Sequence, residues 1–552
     1  MLCYTDCMDK TLIIRQLTTS NFDFPALAQS VESKYVDKTD LLYELARHKD
    51  DAQYFISRPR RFGKSLMLST LKAMFEGRKD LFKGLKIYDL PWECWDEKRR
   101  YPVYSFTMAQ VNAPTLAKLE AALAKLVQGL CAEIGLKYDG KVDATVNFDV
   151  FLAAAAEKSP TGKIVVLIDE YDEPLAKFLD KPEALDDVRS LLHDFYEKLK
   201  NNAGRIRLLM LTGVTKLTKL SVFSGLTHLT DLSMSPRFAT LLGYTPQELE
   251  GALRENVVEL GKRLGMDFES AKAAILRWYD GYRFSPQSEA RVVNPVSIGK
   301  LLGKDGGVFK SYWETTGGST LIFNRIRASG RLPRDLEDVR VKQIQLDVCD
   351  AAVLPLDSLL YQSGYLTIKE VIPSADPEDR RIGARETYRL GPPNEEIRES
   401  LRDGFIAKVL GVEQDGFDTL LDHAKRQIAD GDIRDVVETM LFSLYAAIPP
   451  DWRIKGEEEA KRYFLLFFSM LGADPAPEFP SARGYADAVV QRRDAVYVFE
   501  FKYRRSAKAA IRQIRDRGYA DKWKGGPRPV TLVGVNFNPA KRNIDIPLIE
   551  PL

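Results

Sequence analysis

Histidine and cysteine are scarce in this chain, at four and five among 552 residues. The cysteines, at positions 3, 7, 94, 131 and 349, are odd in number and scattered, which argues against a disulfide framework and for a reducing compartment. Only Cys3 and Cys7 lie close together, and no histidine accompanies them, so a zinc site is not expected. Long apolar runs are missing as well. The stretch YFLLFFSMLG at 463–472 falls far short of the ~20 residues that cross a bilayer. The opening residues, MLCYTDCMDK, lack a basic segment followed by an apolar one, so no secretory signal is expected. There is no low-complexity tract and no repeat at a solenoid period. These absences predict a cytoplasmic protein without a membrane partner.

What is present is ordinary globular composition, 45% hydrophobic and 29% charged with the signs interleaved. The length is too great for one core and suggests three or four domains. The net charge of +2 is unevenly spread: residues 451–552 hold 19 basic and 13 acidic side chains, a surplus of six. A basic C-terminal module fits a polyanionic partner, although a solvated surface accounts for it equally well.

From about 50 to 240, short apolar runs (YFIS, YPVYSFT, KIVVLID, RIRLLMLTG) alternate with helix-period segments, which predicts βαβ units and a parallel sheet. From 245 to 330 the pattern is helical, opened by a Thr cap with a Glu three residues on. Residues 356–370 read as a helix running into a strand. ETYRLGPPNEEIRESL adds a second strand and a helix, an order compatible with a winged helix. The segment 401–450 reads as helical. From 481 dense β begins: GYADAVVQRRDAVYVFEFKYR is two alternating strands about a polar turn, followed by a helix through 506–524 and a last strand, PVTLVGVNF.

Two pairs of motifs carry chemistry. RPRRFGKS follows the strand YFIS and precedes an amphipathic helix, the context of a phosphate-binding loop. The loop Arg58, Arg60, Arg61, Phe62, Gly63, Lys64 and Ser65 would cradle phosphates with its N–H groups and the helix start. Lys64 would reach the β- and γ-phosphates, and Ser65 would ligate Mg²⁺. Arg58 stands where the usual motif has its first glycine. About a hundred residues on, VVLIDEYDEPL puts Asp169 and Glu170 at the end of a buried strand. Asp169 suits the Mg²⁺ and Glu170 suits the polarisation of an attacking water, whereas two carboxylates capping a helix are the plain structural alternative. Thr212, ending RIRLLMLTG, is a candidate contact to the γ-phosphate or the water.

The second constellation is C-terminal. Asp487 lies in GYADAVV, and Glu500 and Lys502 share one face of the strand VYVFEFKY, opposite Phe499, Phe501 and Tyr503. A carboxylate and an ammonium inside an apolar strand are costly unless paired or functional. Asp487 and Glu500 would hold Mg²⁺, and Lys502 would position or deprotonate the water, or neutralise developing charge. Glu457, Glu458 and Glu459 are candidates for a further acid, with Glu457 best spaced from Gly472. Gln513 on the following helix could support the lysine or a phosphate.

The set FISRPRRFGKSLMLSTL, YVDKT (35–39), LIDEYDEPL, LTGVTKLTKLSVFSGLTHLTDLS, WYDGYRF, VVNP and YWETTGG resembles the bacterial AAA-ATPase-like family over roughly residues 15–330. The resemblance implies an AAA/STAND-type fold with a helical lid and a loop that lacks the first glycine, and it would place YVDKT near the nucleotide. The D…ExK order, through VTLVGVNFN and KRNI, resembles the PD-(D/E)XK nuclease superfamily over about 450–552, although EEEAKRYF presents no single obvious Glu. The expected fold class is therefore α/β: a P-loop NTPase parallel sheet with a helical lid and a winged helix, then a small α/β restriction-endonuclease-like domain. The expected boundaries are 1–240 for the ATPase core, 241–335 for the lid, 336–450 for the winged-helix and helical linker region, and 451–552 for the nuclease-like domain. The expected function is ATP hydrolysis coupled to Mg²⁺-dependent cleavage of nucleic acid, DNA ahead of RNA, in defence or mobile-element processing. A nucleotide-switched nucleic-acid binder is the alternative. A translocase would instead form hexamers with an arginine finger, for which Arg237 and Arg283 are candidates.

Overall fold

A computed structural model describes residues 15–552 except 21, 49–51, 180, 217–228, 305, 314–318, 347–354, 382–384, most of 406–440, 449–453, 471–474, 482 and 493. Cys3, Cys7, Cys349, the stretch LTKLSVFSGLTH, residues 314–318 of YWETTGG and most of the helical segment expected at 401–450 lie outside the described residues. The chain divides into two compact units, Met1–Thr315 with Asp338–Ile397, and Thr316–Glu337 with Arg398–Leu552. No helix among the described residues is long and apolar enough to cross a membrane.

The first unit is built on a five-stranded parallel sheet: β1 (Gln53–Ser57), β2 (Val103–Thr107), β3 (Ile164–Asp169), β4 (Ile206–Gly213) and β5 (Thr230–Asp231), in the order β2-β3-β4-β1-β5. A strand covered on both faces must be apolar along its length, and Ile164 to Ile168 are fully buried. The one charge inside β4, Arg207, is satisfied by the His48 and Ala46 carbonyls and by Glu93. Helix α1 (Lys64–Phe75) follows β1 and buries Leu68, Leu71 and Phe75. Between the strands lie α2 (Leu116–Glu133), α3 (Ala144–Lys158) and α4 (Pro182–Asn201).

The helical part begins with the capping box foreseen at Thr245 and Glu248. The short first helix stops at Gly251, and α5 (Arg254–Leu264) starts afresh. With α6 (Phe268–Tyr279) and α7 (Pro295–Leu302), it encloses a core of Leu253, Val257, Leu260, Ile275 and Leu301. A small antiparallel sheet follows, β6 (Val339–Lys342), β7 (Thr367–Ile372) and β8 (Thr387–Gly391) in the order β6-β8-β7, with α8 (Leu356–Gln362) leading into β7.

The second unit carries α9 (Glu457–Met470), β9 (Ala476–Ser481), β10 (Gly484–Gln491), β11 (Val496–Tyr503), α10 (Ala507–Arg517), β12 (Val530–Asn538), β13 (Asn543–Ile544) and β14 (Leu548–Pro551). The sheet is mixed, β9-β10-β11-β12-β13 with β14 also on β12; β11 and β12 are parallel and are joined through α10, a βαβ unit. Gly534 in β12 allows that helix to lie close, since a Cβ there would meet the Ala507 carbonyl oxygen at 2.4 Å. α10 is capped by Ser506 and stops at Gly518 in the left-handed region, short of the expected 524. β9 is an edge strand that sequence reading passes over, because Pro477 and Pro480 cannot donate to a ladder.

Candidate active sites

The phosphate loop is assembled by β1 and α1. Arg61 and Gly63 take positive φ values of 68° and 96°, and at 96° the αL turn favours the residue without a Cβ. The N–H groups at the very start of α1 have no acceptor within the helix, which makes such a helix start suited to an anion. Lys64 is buried, and its ammonium donates to the Arg58 and Pro59 carbonyl oxygens at 2.8 and 2.9 Å. Burial pulls its pKa down to about 8 against the pull of Asp169. Arg60 pairs with Glu173 at 3.1 Å, and Arg61 donates to the Tyr312 carbonyl at 2.8 Å. Arg58 and Phe62 turn inward. The Arg58 guanidinium lies 4.1 Å from the Phe284 ring and donates to the Ser57 and Ser233 carbonyls. Burial lowers its pKa to about 10, and its Nε and Nη2 find no partner among the described residues. The Phe62 ring packs edge-on against Tyr282 and Phe284.

Neighbouring strand ends bring the acids to this loop. Ser65 Oγ donates to Asp169 Oδ2 and Thr212 Oγ1 donates to Asp169 Oδ1, each at 2.5 Å. Glu170 sits at φ 51°, an uncommon backbone for a non-glycine residue, and accepts from Thr107 Oγ1 at 3.0 Å. Burial, and then the Asp169 charge, raise the Glu170 pKa. Sequence reading missed Thr107; its signal is its place at the end of β2, in register with Asp169. It also missed Asp172, which clamps the Thr215 N–H and hydroxyl behind Thr212. An apolar pocket beside the loop is lined by Tyr35, Val36, Phe62, Leu242 and Tyr244, so the start of YVDKT faces it. The Arg283 guanidinium is committed to the Ser285, Pro286 and Ser288 carbonyls, while the exposed Arg237 forms a two-pronged pair with Glu44.

In the second unit, Glu457, Asp487 and Glu500 each offer a carboxylate oxygen, and these oxygens lie within 4.8 Å of one another. Glu458 instead pairs with Lys461 at 2.6 Å, and Glu459 accepts the Lys455 N–H, so only the first of the three glutamates joins the cluster. Lys502 Nζ is 2.9 Å from Glu500 Oε1 and 3.1 Å from Glu457 Oε1. Burial works against that ammonium, but the two carboxylates outweigh it and its pKa stands above the ordinary value. Asp487 Oδ2 accepts the Phe501 N–H at 2.8 Å. Burial, reinforced by Asp487, pushes the Glu500 carboxyl up to about 7, with Lys502 pulling the other way. Its Oε2 is buried without a hydrogen-bond partner among the described residues. A carboxylate with one orphaned buried oxygen, clustered with two more carboxylates, suits a hard divalent cation. Gln513 is not drawn into this cluster; its amide donates to Tyr519 Oη at 3.3 Å.

The chain is similar to known proteins along both units. A profile described as a predicted AAA-ATPase matches residues 8–223, and one for the PD-(D/E)XK nuclease superfamily matches residues 455–546. A protein of Azotobacter chroococcum mcd 1, described as an uncharacterized protein in the vnfD 5′ region, is 30% identical over 543 residues, covering 96% of this chain and 98% of that relative. Members of these families generally use nucleotide and divalent metal, and the nuclease-like domain points to interaction with nucleic acid. With the parallel sheet and its loop in one unit and the D…ExK strands in the other, the chain belongs to the AAA-ATPase-like family and carries a C-terminal PD-(D/E)XK nuclease superfamily domain.

Proposed function

We propose that the protein binds and hydrolyses ATP in its first unit and uses that cycle to control Mg²⁺-dependent phosphodiester cleavage, with DNA as the substrate, in its second. The observation that carries the proposal is the Glu457–Asp487–Glu500 cluster, in which Lys502 engages Glu500 Oε1 and Glu500 Oε2 is buried with no partner among the described residues. We assign residues 1–240 to the ATPase core, 241–335 to its lid, 336–450 to a winged-helix-like and linking region and 451–552 to the nuclease.

In the first unit Lys64 would exchange its two carbonyl partners for phosphate oxygens, joined by the N–H groups of the α1 start. Ser65 and Asp169 would hold Mg²⁺, which supplies charge neutralisation at the phosphates. Thr212 fixes the Asp169 carboxylate, and Thr107 orients Glu170 to take a proton from water. The apolar pocket beside the loop would take the base. In the second unit Glu457, Asp487 and Glu500 would hold Mg²⁺, which lowers the pKa of water and stabilises a leaving oxygen. Lys502 sets its positive charge among the acids and lessens their repulsion of a phosphodiester.

The test is cleavage of plasmid, linear duplex and single-stranded DNA, and of RNA, with Mg²⁺ or Mn²⁺, with and without ATP. Lys64→Ala and Lys502→Ala are run beside the unmodified chain. Metal-dependent cutting lost in Lys502→Ala is the expected result, and the Lys64→Ala lane reads whether ATP gates it. ATP hydrolysis without cutting of any substrate would make the chain a nucleotide-switched nucleic-acid binder.

A further inference from the structure

A second lysine, Lys461, reaches the carboxylate cluster at Asp487, an acid that forms no ion pair with Lys502 among the described residues. Lys461 lies one turn beyond Glu457 on α9, so both side chains leave the same helix face. Its side chain is only 8% exposed, although two of its carboxylate neighbours, Glu458 and Glu478, stand mostly in water. A lysine serving those two alone could remain in water, where such pairs contribute little. Instead the ammonium is carried inward, to 3.7 Å from Asp487 Oδ1.

Among the described residues, Asp487 otherwise accepts one hydrogen bond, on one oxygen. The β10–β11 pairing ends at Ala488 and Phe499, and the Phe501 N–H beyond it goes to Asp487 Oδ2. That bond fixes one oxygen but leaves the carboxylate free to rotate about it. The other oxygen, Oδ1, is the one that faces Lys461. Lys502 is already committed to Glu457, Glu500 and the Phe501 carbonyl. The two lysines thus divide the acids between them.

We propose that Lys461 is a positioning residue of the nuclease site, holding the Asp487 carboxylate in the orientation in which it joins Glu457 and Glu500 around a divalent cation. The inference rests on the metal-site reading above. It differs from a simple helix-surface pair in the sign of one measurement. If Lys461 only lent positive charge nearby, its removal would relieve repulsion and tighten cation binding. If it orients Asp487, its removal weakens binding, because partners that orient metal ligands typically contribute about 10- to 100-fold in affinity.

The experiment titrates Mn²⁺ into the full-length chain by calorimetry, with the thermal transition followed in parallel. For Lys461→Met, the dissociation constant is expected to rise about tenfold, with the transition of the metal-free chain retained. Lys461→Arg is expected to recover most of the affinity, and Glu458→Gln, which removes only the i,i+3 partner, to leave it within about twofold, as for an exposed pair. Unchanged or tighter binding in a folded Lys461→Met overturns the proposal. Should that variant not fold, a Mn²⁺-loaded structure of the unmodified chain decides: Lys461 Nζ against an Asp487 oxygen supports it, and Lys461 turned to water overturns it. Failure of the unmodified chain to bind Mn²⁺ overturns the metal-site reading itself, and this inference with it.

Discussion

The two sites solve opposite electrostatic problems. At the phosphate loop the positive groups are already engaged: Lys64 on two carbonyls, Arg60 on Glu173, Arg61 on a carbonyl and Arg58 under Phe284. A ligand must win those groups from internal partners. At the carboxylate cluster the shortage is of positive charge, since three acids have Lys502 and Lys461 between them and, among the described residues, the buried Glu500 Oε2 has no partner. The first site is built to exchange contacts and the second to gain a cation. The contrast predicts that substitutions at the carboxylate cluster spare ATP turnover, whereas those at the phosphate loop reach cleavage only through the nucleotide cycle.

The largest effects come from the acids. Asp487→Asn is expected to reduce cleavage by about a thousandfold or more while ATP hydrolysis holds within about twofold, as when a metal ligand is removed from a site that another site does not need. Glu170→Gln should lower ATP turnover by about 10²- to 10⁴-fold, the usual contribution of a positioned base. ATP binding, read by a fluorescent analogue, should remain. Loss of ATP hydrolysis in Asp487→Asn would break the separation.

Thr212→Val comes next. It removes the hydroxyl that fixes Asp169 and keeps the shape of the side chain. Losing one hydrogen bond to a charged group at a buried strand end is expected to lower ATP turnover about tenfold. A larger change in the dissociation constant of ATP than in turnover would mean that Thr212 acts on the ground state.

A pH effect tests the cation shortage directly. The folded, metal-free Glu500 titrates near 7, above its ordinary 4.5, so the group favours folding below about pH 4.5 and that contribution is lost as pH rises toward 7. Gln mimics the protonated acid at every pH. Glu500→Gln should therefore gain stability relative to the unmodified chain between pH 5 and 7.5, by about a few kcal/mol at most. The readout is the difference between the two melting curves in chelator. A flat difference would mean that Lys502 already neutralises Glu500.

How much of this was legible depends on where each signal resides. The strands of the parallel sheet showed themselves because burial on both faces forces continuous apolar runs, as in Ile164–Asp169. Lys64, Ser65, Asp169 and Thr212 were visible as groups at strand ends and a helix start, and the ExK pair by its period of two. The choice among Glu457, Glu458 and Glu459 was legible only as a preference for Glu457 by its spacing from Gly472. Consecutive helical residues point about 100° apart, and only packing against β11 selects one face. Thr107 and Lys461 escaped because their partners lie 63 and 26 residues away in sequence and no local pattern links them. Arg58 read as a loop charge, yet its guanidinium is withdrawn over Phe284, a ring more than two hundred residues downstream.

The smallest predicted effect concerns Arg60. Its pair with Glu173 joins side chains 43% and 24% exposed, and such pairs stabilise a fold by about 0–1 kcal/mol. Arg60→Ala should therefore leave the melting transition almost unmoved. Glu173 keeps its other partner, Asn112 Nδ2 at 3.1 Å, so it is not stranded. If the loop exchanges contacts as Lys64 suggests, Arg60 leaves Glu173 for the phosphates. The variant would then bind ATP about three- to tenfold more weakly and with a shallower salt dependence, as expected for one lost charge-assisted hydrogen bond. Unchanged affinity would leave Arg60 with Glu173. The phosphates would then draw their positive charge from Lys64 and the start of α1, and the exchange would be confined to the one buried lysine.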